Sequence, residues 1–354
     1  MSIAFDHSTL GQRVLFGSEK ALEHTVAAIS GLGAERVLMI GSKSSSDLSD
    51  QISSQSPIVA HIHEIVQHVP IDRARAAVEL AERASIDAVV AIGGGSSTGL
   101  AKIVARDTGL PIIAVPTTFA GSEATNVWGL TEGKRKQTGS DDRVLPKVVV
   151  YDATLSTSLP GSLAAASGLN AVAHAVDGFW APRVDPINMA LASEGIGALI
   201  PGLRALAKNS GNLEARERML YGAYLAAVAF ASSGSGMHHK ICHVLGGAYG
   251  LSHSEMHSVV LPYVTAFNAP AAPEAANRIS QALGGSPAAS GLYDLRREVG
   301  VASSLAELGM REEDIPEASE LVVAAVPESN PRPVTQHDME SLLRAAWAGT
   351  PIEE

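Results

Sequence analysis

Cysteine is almost missing from this chain of 354 residues: Cys242 stands alone, so no intrachain disulfide can form. That fits a reducing compartment, and a cytoplasmic location is expected. Aromatic side chains are scarce at 4%, so the core must be built from small aliphatic residues, and the many alanines and glycines suit closely packed helices. No uncharged apolar run reaches the roughly 18 residues of a membrane helix, and no membrane span is expected. The opening, MSIAFDHSTLGQRVLFG, has no basic stretch followed by an apolar one, so a secretory leader is not expected. Positive charge is in short supply too. The formal net charge of −11 disfavours a nucleic-acid partner, while leaving room for a local pocket that takes a small anion.

Apolar residues make up 46% of the chain, enough at this length for a sizeable core and two domains. In the first part, short apolar runs alternate with helical patterns. RVLMIG (36–41), DAVVAIGGG (87–95), PIIAVPTT (111–118) and KVVVYD (147–152) read as strands of a parallel sheet covered on both faces. Residues 19–31, 72–85 (with Asp72 as a cap) and 98–108 read as helices between them. Past Pro160–Gly161 strand-like runs become rare and long apolar helices take over, with a serine available to cap the first. The expected fold is α/β plus all-α, with an α/β domain over 1–155 and an all-helical domain over 156–354.

Two loops carry candidate ligand chemistry. AIGGGSSTGLAK follows a strand and opens a helix. Gly93, Gly94 and Gly95 let backbone approach a ligand, and Ser96 with the helix N–H groups can hold a phosphate. The spacing is neither that of a Walker loop nor GxGxxG, and an ordinary loop is the bland alternative. VPTTFAGSEAT places Thr117 and Thr118 at the end of the next strand, where open α/β sheets bind ligands. After the first strand of the pattern stand Gly41, Ser42 and Lys43, with no carboxylate to repel a 2′-phosphate, so NADH and NADPH both stay open.

The stretch MHHKICHVLGGAYGLSHSEMHSVVLP holds five of the twelve histidines. His239 and His243 are four apart and share a helix face, which Gly246–Gly247 should end or bend; Asn170 and His174 are likewise four apart. Two helices and a loop can therefore converge Asn170, His174, His239 and His253. Three imidazoles suit Zn²⁺ or Fe²⁺, but Asn170 offers a neutral amide where a carboxylate would offer charge, so weak metal binding is expected. His238 and His257 fit a structural role best, with His257 retained as a candidate because it lies four beyond His253. Without metal, such a cluster is expected to be partly protonated near neutral pH and able to attract a carboxylate.

These motifs resemble the iron-containing (group III) alcohol dehydrogenase family over nearly the whole chain, through GGGSSTGLAK, PTTFAGSEATNVWG, LPKVVVYDATL, GLNAVAHAVDGFW and the histidine stretch. The resemblance implies a Rossmann-like nucleotide-binding domain and a helical domain, as also in dehydroquinate synthase-like cyclising enzymes, with the active site in the cleft. The family's four metal ligands match Asn170, His174, His239 and His253, and its further histidine near the nicotinamide matches His243. Asn170 replaces an aspartate, and Gly99 replaces a second one after the glycine turn. Both departures resemble a branch that reduces the carbon–carbon double bond of 2-maleylacetate to 3-oxoadipate with NADH or NADPH and no metal, in bacterial breakdown of aromatic compounds.

The implied catalytic set is His243, His253, His174 and His239. The cofactor set is Ser42, Gly94, Gly95, Ser96, Thr117, Thr118, Phe119, Ser122 and Lys136. Substrate contacts fall to Phe119, Asn170, His174, His239, His243, His253 and His257, with Lys136 or Lys240 facing a carboxylate. The expected partners are a small dicarboxylate and a second copy of the chain in a homodimer. Alternatives are an iron- or zinc-dependent alcohol or polyol dehydrogenase and an NAD(H)-binding sensor or structural protein.

Overall fold

The computed structural model describes residues 4–67, 69–132 and 135–352, leaving out the side chains of Arg135 and Lys136. It divides into two compact units, Thr9–Leu159 and a helical unit that begins at Pro160 and includes the leading residues up to Ser8.

In the first unit the elements run β1 (Arg13–Phe16), α1 (Ala21–Gly31), β2 (Val37–Gly41), α2 (Ser46–Ser53), β3 (Ile58–Ile62), α3 (Ile71–Arg83), β4 (Ala88–Gly93), α4 (Gly95–Thr108), β5 (Ile112–Pro116), β6 (Val127–Glu132), β7 (Arg135–Ser140) and β8 (Val148–Tyr151). Six strands form a parallel sheet in the order β1-β8-β5-β4-β2-β3. Strands β2, β5 and β8 are buried at every position, which is why they read as unbroken apolar runs. Leu38, Ile40, Val89 and Ala91 pack against α3 and α4; Val37, Met39, Val90 and Ile92 pack against α1 and α2. The chain leaves β2 for the edge strand β3, then returns to β4 on the other side of β2. The carboxyl ends of β2 and β4 therefore flank the point where strand order reverses, the usual ligand crevice of open α/β sheets. Strands β6 and β7 make a separate antiparallel hairpin, in which Trp128 lies opposite Gly139 and under the Arg106 guanidinium, 4.5 Å from the ring centre.

The second unit contains α5 (Gly161–Gly178), α6 (Pro186–Lys208), α7 (Leu213–Ser233), α8 (Met237–Tyr249), α9 (His253–Asn268), α10 (Pro273–Ala282), α11 (Ala288–Glu298), α12 (Ile315–Val323) and α13 (Gln336–Ala348). Every residue of α5 from Ala164 to Gly178 is buried, as expected for a helix that is apolar on all sides. Helix α6 is long and apolar enough to cross a membrane by length and composition, but it is a bundle helix. A Cβ on Gly222 of α7 would lie 2.8 Å from the Gly195 carbonyl of α6, so the two backbones touch. The leading residues join this unit because His7 Nδ1 lies 2.8 Å from Asp185, and the Ser8 carbonyl accepts from Ser232 Oγ at 2.9 Å.

Several local expectations are corrected. Asp72 lies inside the first turn of α3, and Pro70 holds the cap position. No serine caps α5; its cap position is Pro160. Helix α8 runs straight through Gly246–Gly247 and ends at Gly250 in the left-handed region, φ 68°.

Candidate active site

Helices α5, α8 and α9 bring six histidines together, with Asn170 one helical turn before His174 on α5. Asn170, His174 and Asp177 lie on α5, His238, His239 and His243 on α8, and His253 and His257 on α9. The His174 and His239 rings stack, with centroids 4.9 Å apart at 14°, and Phe230 of α7 covers both, at 4.8 and 4.3 Å. His239 lies 4.7 Å from His257 and 6.1 Å from His243, and His257 lies 4.4 Å from His253. His174, His238, His239, His257 and Asn170 are buried, whereas His243 and His253 are half-buried and form the accessible side of the group.

Asp177 orients the centre. It is the only acidic residue on α5 and has no surface exposure. Its Oδ2 lies 2.7 Å from His239 Nδ1 and accepts from the backbone N–H groups of Gly236 (3.1 Å) and His239 (3.2 Å), while Trp180 Nε1 donates to Oδ1 at 3.4 Å. A Cβ at position 236 would sit 2.5 Å from Asp177, so glycine is required there. Burial raises the Asp177 carboxyl above its ordinary pKa; the neighbouring His238 and the surrounding N–H donors pull it back down. With the proton of His239 held on Nδ1, Nε2 is left as a lone pair, and it has no hydrogen-bond partner.

His238 and His257, for which a structural role fits the sequence best although His257 is also a substrate candidate, are joined, with Nε2 and Nδ1 2.8 Å apart. Burial is the first cause that pushes His174, His239 and His257 well below the ordinary imidazole range, and His238 down to about 3. The expected partial protonation near neutral pH is therefore corrected for these four, which are neutral. Their desolvation would cost too much if they carried charge.

Among the described residues, His238, His239 and His257 offer ligand atoms within 4.8 Å of one another. Neutral imidazoles with unpartnered nitrogens, one of them backed by a carboxylate, are the donor set a divalent cation takes. Asn170 Oδ1 and His174 Nδ1 are also buried without a partner.

In the α/β unit, Gly93 has φ 141°, and a Cβ on Gly94 would meet Thr118 at 2.8 Å, so glycine is needed where these loops abut. Thr117 N–H donates to the Gly93 carbonyl at 3.1 Å. No side chain caps the start of α4, which leaves the N–H groups beside Gly95 and Ser96 available to an anion. Ser42 stands at the other lip of the strand-order reversal, directly after β2. Ser122 opens a short turn after β5. Phe119, expected to touch cofactor and substrate, is fully buried and presents no surface to either. The side chain of Lys136 lies outside the described residues.

A sequence profile described as iron-containing alcohol dehydrogenase matches residues 11–153, and one for the C-terminal part of the Fe-containing alcohol dehydrogenase family matches residues 164–347. The chain belongs to the iron-containing alcohol dehydrogenase family. Among its relatives, maleylacetate reductase from Pseudomonas sp. (strain P51) is 41% identical over 98% of this chain and 99% of its own length. In structure, the chain resembles an iron-containing alcohol dehydrogenase from Corynebacterium glutamicum (TM-score 0.95, 47% identity, 99% and 98% of the two chains). It also resembles maleylacetate reductase from Rhizobium sp. strain MTP-10005 (TM-score 0.93, 36% identity, 99% of each).

Membership of the iron-containing alcohol dehydrogenase family, together with the imidazole group at His238, His239 and His257, overturns the expectation of a metal-free protein. The missing charge at Asn170 points away from metal, but burial keeps the neighbouring imidazoles neutral and Asp177 orients His239, and neither shows in the local sequence. Asp177 did leave a trace in the sequence, as a lone carboxylate on an apolar helix, a residue that stays buried only when paired.

Proposed function

We propose that this protein reduces the carbon–carbon double bond of 2-maleylacetate to give 3-oxoadipate, taking the hydride from NADH or NADPH. The end-to-end similarity to maleylacetate reductase of strain P51 is the observation that carries the reading. The reaction adds hydride to the alkene carbon β to the ketone, moves the electron pair onto the ketone oxygen as an enolate, and places a proton on the α carbon.

His243 and His253 are the accessible imidazoles and the candidates to donate a hydrogen bond to that oxygen and to deliver the proton. The buried neutral rings of His174 and His239 set their surroundings, and Asp177 fixes the orientation of His239. His238, His239 and His257 would hold a divalent metal, with His174 stacked on His239. When bound, the metal supplies positive charge that stabilises developing negative charge on oxygen. The loops at Ser42, Gly94–Ser96, Thr117, Thr118 and Ser122 are the candidates to hold the dinucleotide. A cytoplasmic homodimer is part of the same reading.

The test is to follow oxidation of NADH and NADPH by the purified protein with maleylacetate, simple aldehydes and dihydroxyacetone in parallel. Rapid, substrate-dependent oxidation with maleylacetate and little with the others is expected. Turnover of an alcohol–aldehyde pair with no effect of maleylacetate would replace this reading with that of an alcohol dehydrogenase.

A further inference from the structure

Lys102 lies on α4, about two turns beyond the glycine loop, and has no solvent exposure. Its ammonium donates to the Ser122 carbonyl (2.6 Å), the Val127 carbonyl (2.7 Å) and Thr125 Oγ1 (3.0 Å), and Thr125 Oγ1 in turn donates to the Ser122 carbonyl at 3.2 Å. Those three bonds use every N–H the side chain has. The same turn, Ser122–Ala124, is tied down from two other directions. Tyr151 on β8 donates to the buried carboxylate of Glu123 at 2.7 Å, and Gln12 Nε2 donates to the Glu123 carbonyl at 2.8 Å. The turn is entered through Gly121 at φ 72°.

Resting on the reading that the loops after β4 and β5 hold a dinucleotide, we infer that Lys102 is a positioning residue, fixing the Thr117–Ser122 segment in its ligand-ready shape without touching the ligand. A buried ammonium is costly, and an aliphatic side chain of similar size would fill the space without that cost. Burial lowers the Lys102 pKa to about 7, against the pull of Glu123, which shows how unfavourable the place is for charge. What an aliphatic chain lacks is a donor for three separate acceptors, on the turn, on Thr125 just after it and at the start of β6. Loosening that turn disturbs the glycine loop as well, because Thr117 is bonded to Gly93 and Thr118 abuts Gly94.

The experiment is a fluorescence titration of NADH and NADPH against the purified wild-type protein and Lys102→Met, with KM, kcat and thermal midpoint measured alongside. Misplacing the segment is expected to raise the nucleotide Kd and KM by about tenfold or more, with a much smaller change in kcat at saturating nucleotide. A folded Lys102→Met that binds nucleotide as tightly as wild type, or that loses kcat at unchanged Kd, overturns the inference. If Lys102→Met does not fold, Thr125→Val and Gln12→Ala decide: each removes one tie and should raise Kd, and unchanged Kd in both overturns it. A wild-type chain that binds neither nucleotide sinks the dinucleotide reading itself, whereas wild-type binding with unaffected variants sinks only the role of Lys102.

Discussion

A carboxylate alone on an apolar helix must find its donors on other segments, and Asp177 finds them at the start of α8, 59 to 62 residues further along the chain. The histidine spacings were legible because helical neighbours four apart share a face; the Asp177–His239 bond was not, because no local pattern announces a partner at that separation. Asp177→Asn keeps the shape but no longer holds the proton on His239 Nδ1. It should weaken Zn²⁺ binding about 10–100-fold, read by competition with a coloured chelator, and an unchanged affinity would remove Asp177 from the site. His243→Ala should lower turnover with maleylacetate by about 10²–10⁴ if that ring delivers the proton, and a wild-type turnover number would shift the role to His253.

Among the secondary-structure elements, the strands found from sequence are those buried on both faces, such as β2 and β5. Those without such a signal are the edge strands β1 and β3 and the hairpin strand β6, which are partly exposed, and the polar strand β7. Helix α8 passed through two glycines because packing of Ile241, Cys242 and Leu245 against α9 and α12 outweighs the weak helix preference of glycine. Backbone contact between α6 and α7 makes a direct prediction. Gly195→Leu would drive a side chain into the Ala226 N–H and the Gly222 carbonyl, 3.0 and 3.1 Å from its Cβ. A loss of about 1–3 kcal/mol in urea unfolding is expected, and a neutral result would mean that the helices separate freely.

For the whole molecule, composition was enough to expect a large core with no disulfide, and the change from strands to long helices near Pro160 could be read directly. The return of the leading residues to the helical unit could not, since a single His7–Asp185 contact across 178 residues leaves no periodic trace. The buried imidazoles make the fold sensitive to acid. Their folded pKa values lie below the ordinary 6.5, so the unfolded chain takes up protons first as pH falls. Stability is therefore intact above pH 6.5 and drains away below it, down to about pH 3 for His238. Urea midpoints measured with chelator present should fall steadily from neutral pH into the acid range, and a flat profile would show that these rings are not neutral in the native state. The tether at His7 and Ser8 also sets an order of events at the ribosome. His7 and Ser8 come before the α/β body in the chain but dock on Asp185 and Ser232, which come after it, so this arm must wait, undocked, until the whole of that body and the first helices beyond it have been synthesised.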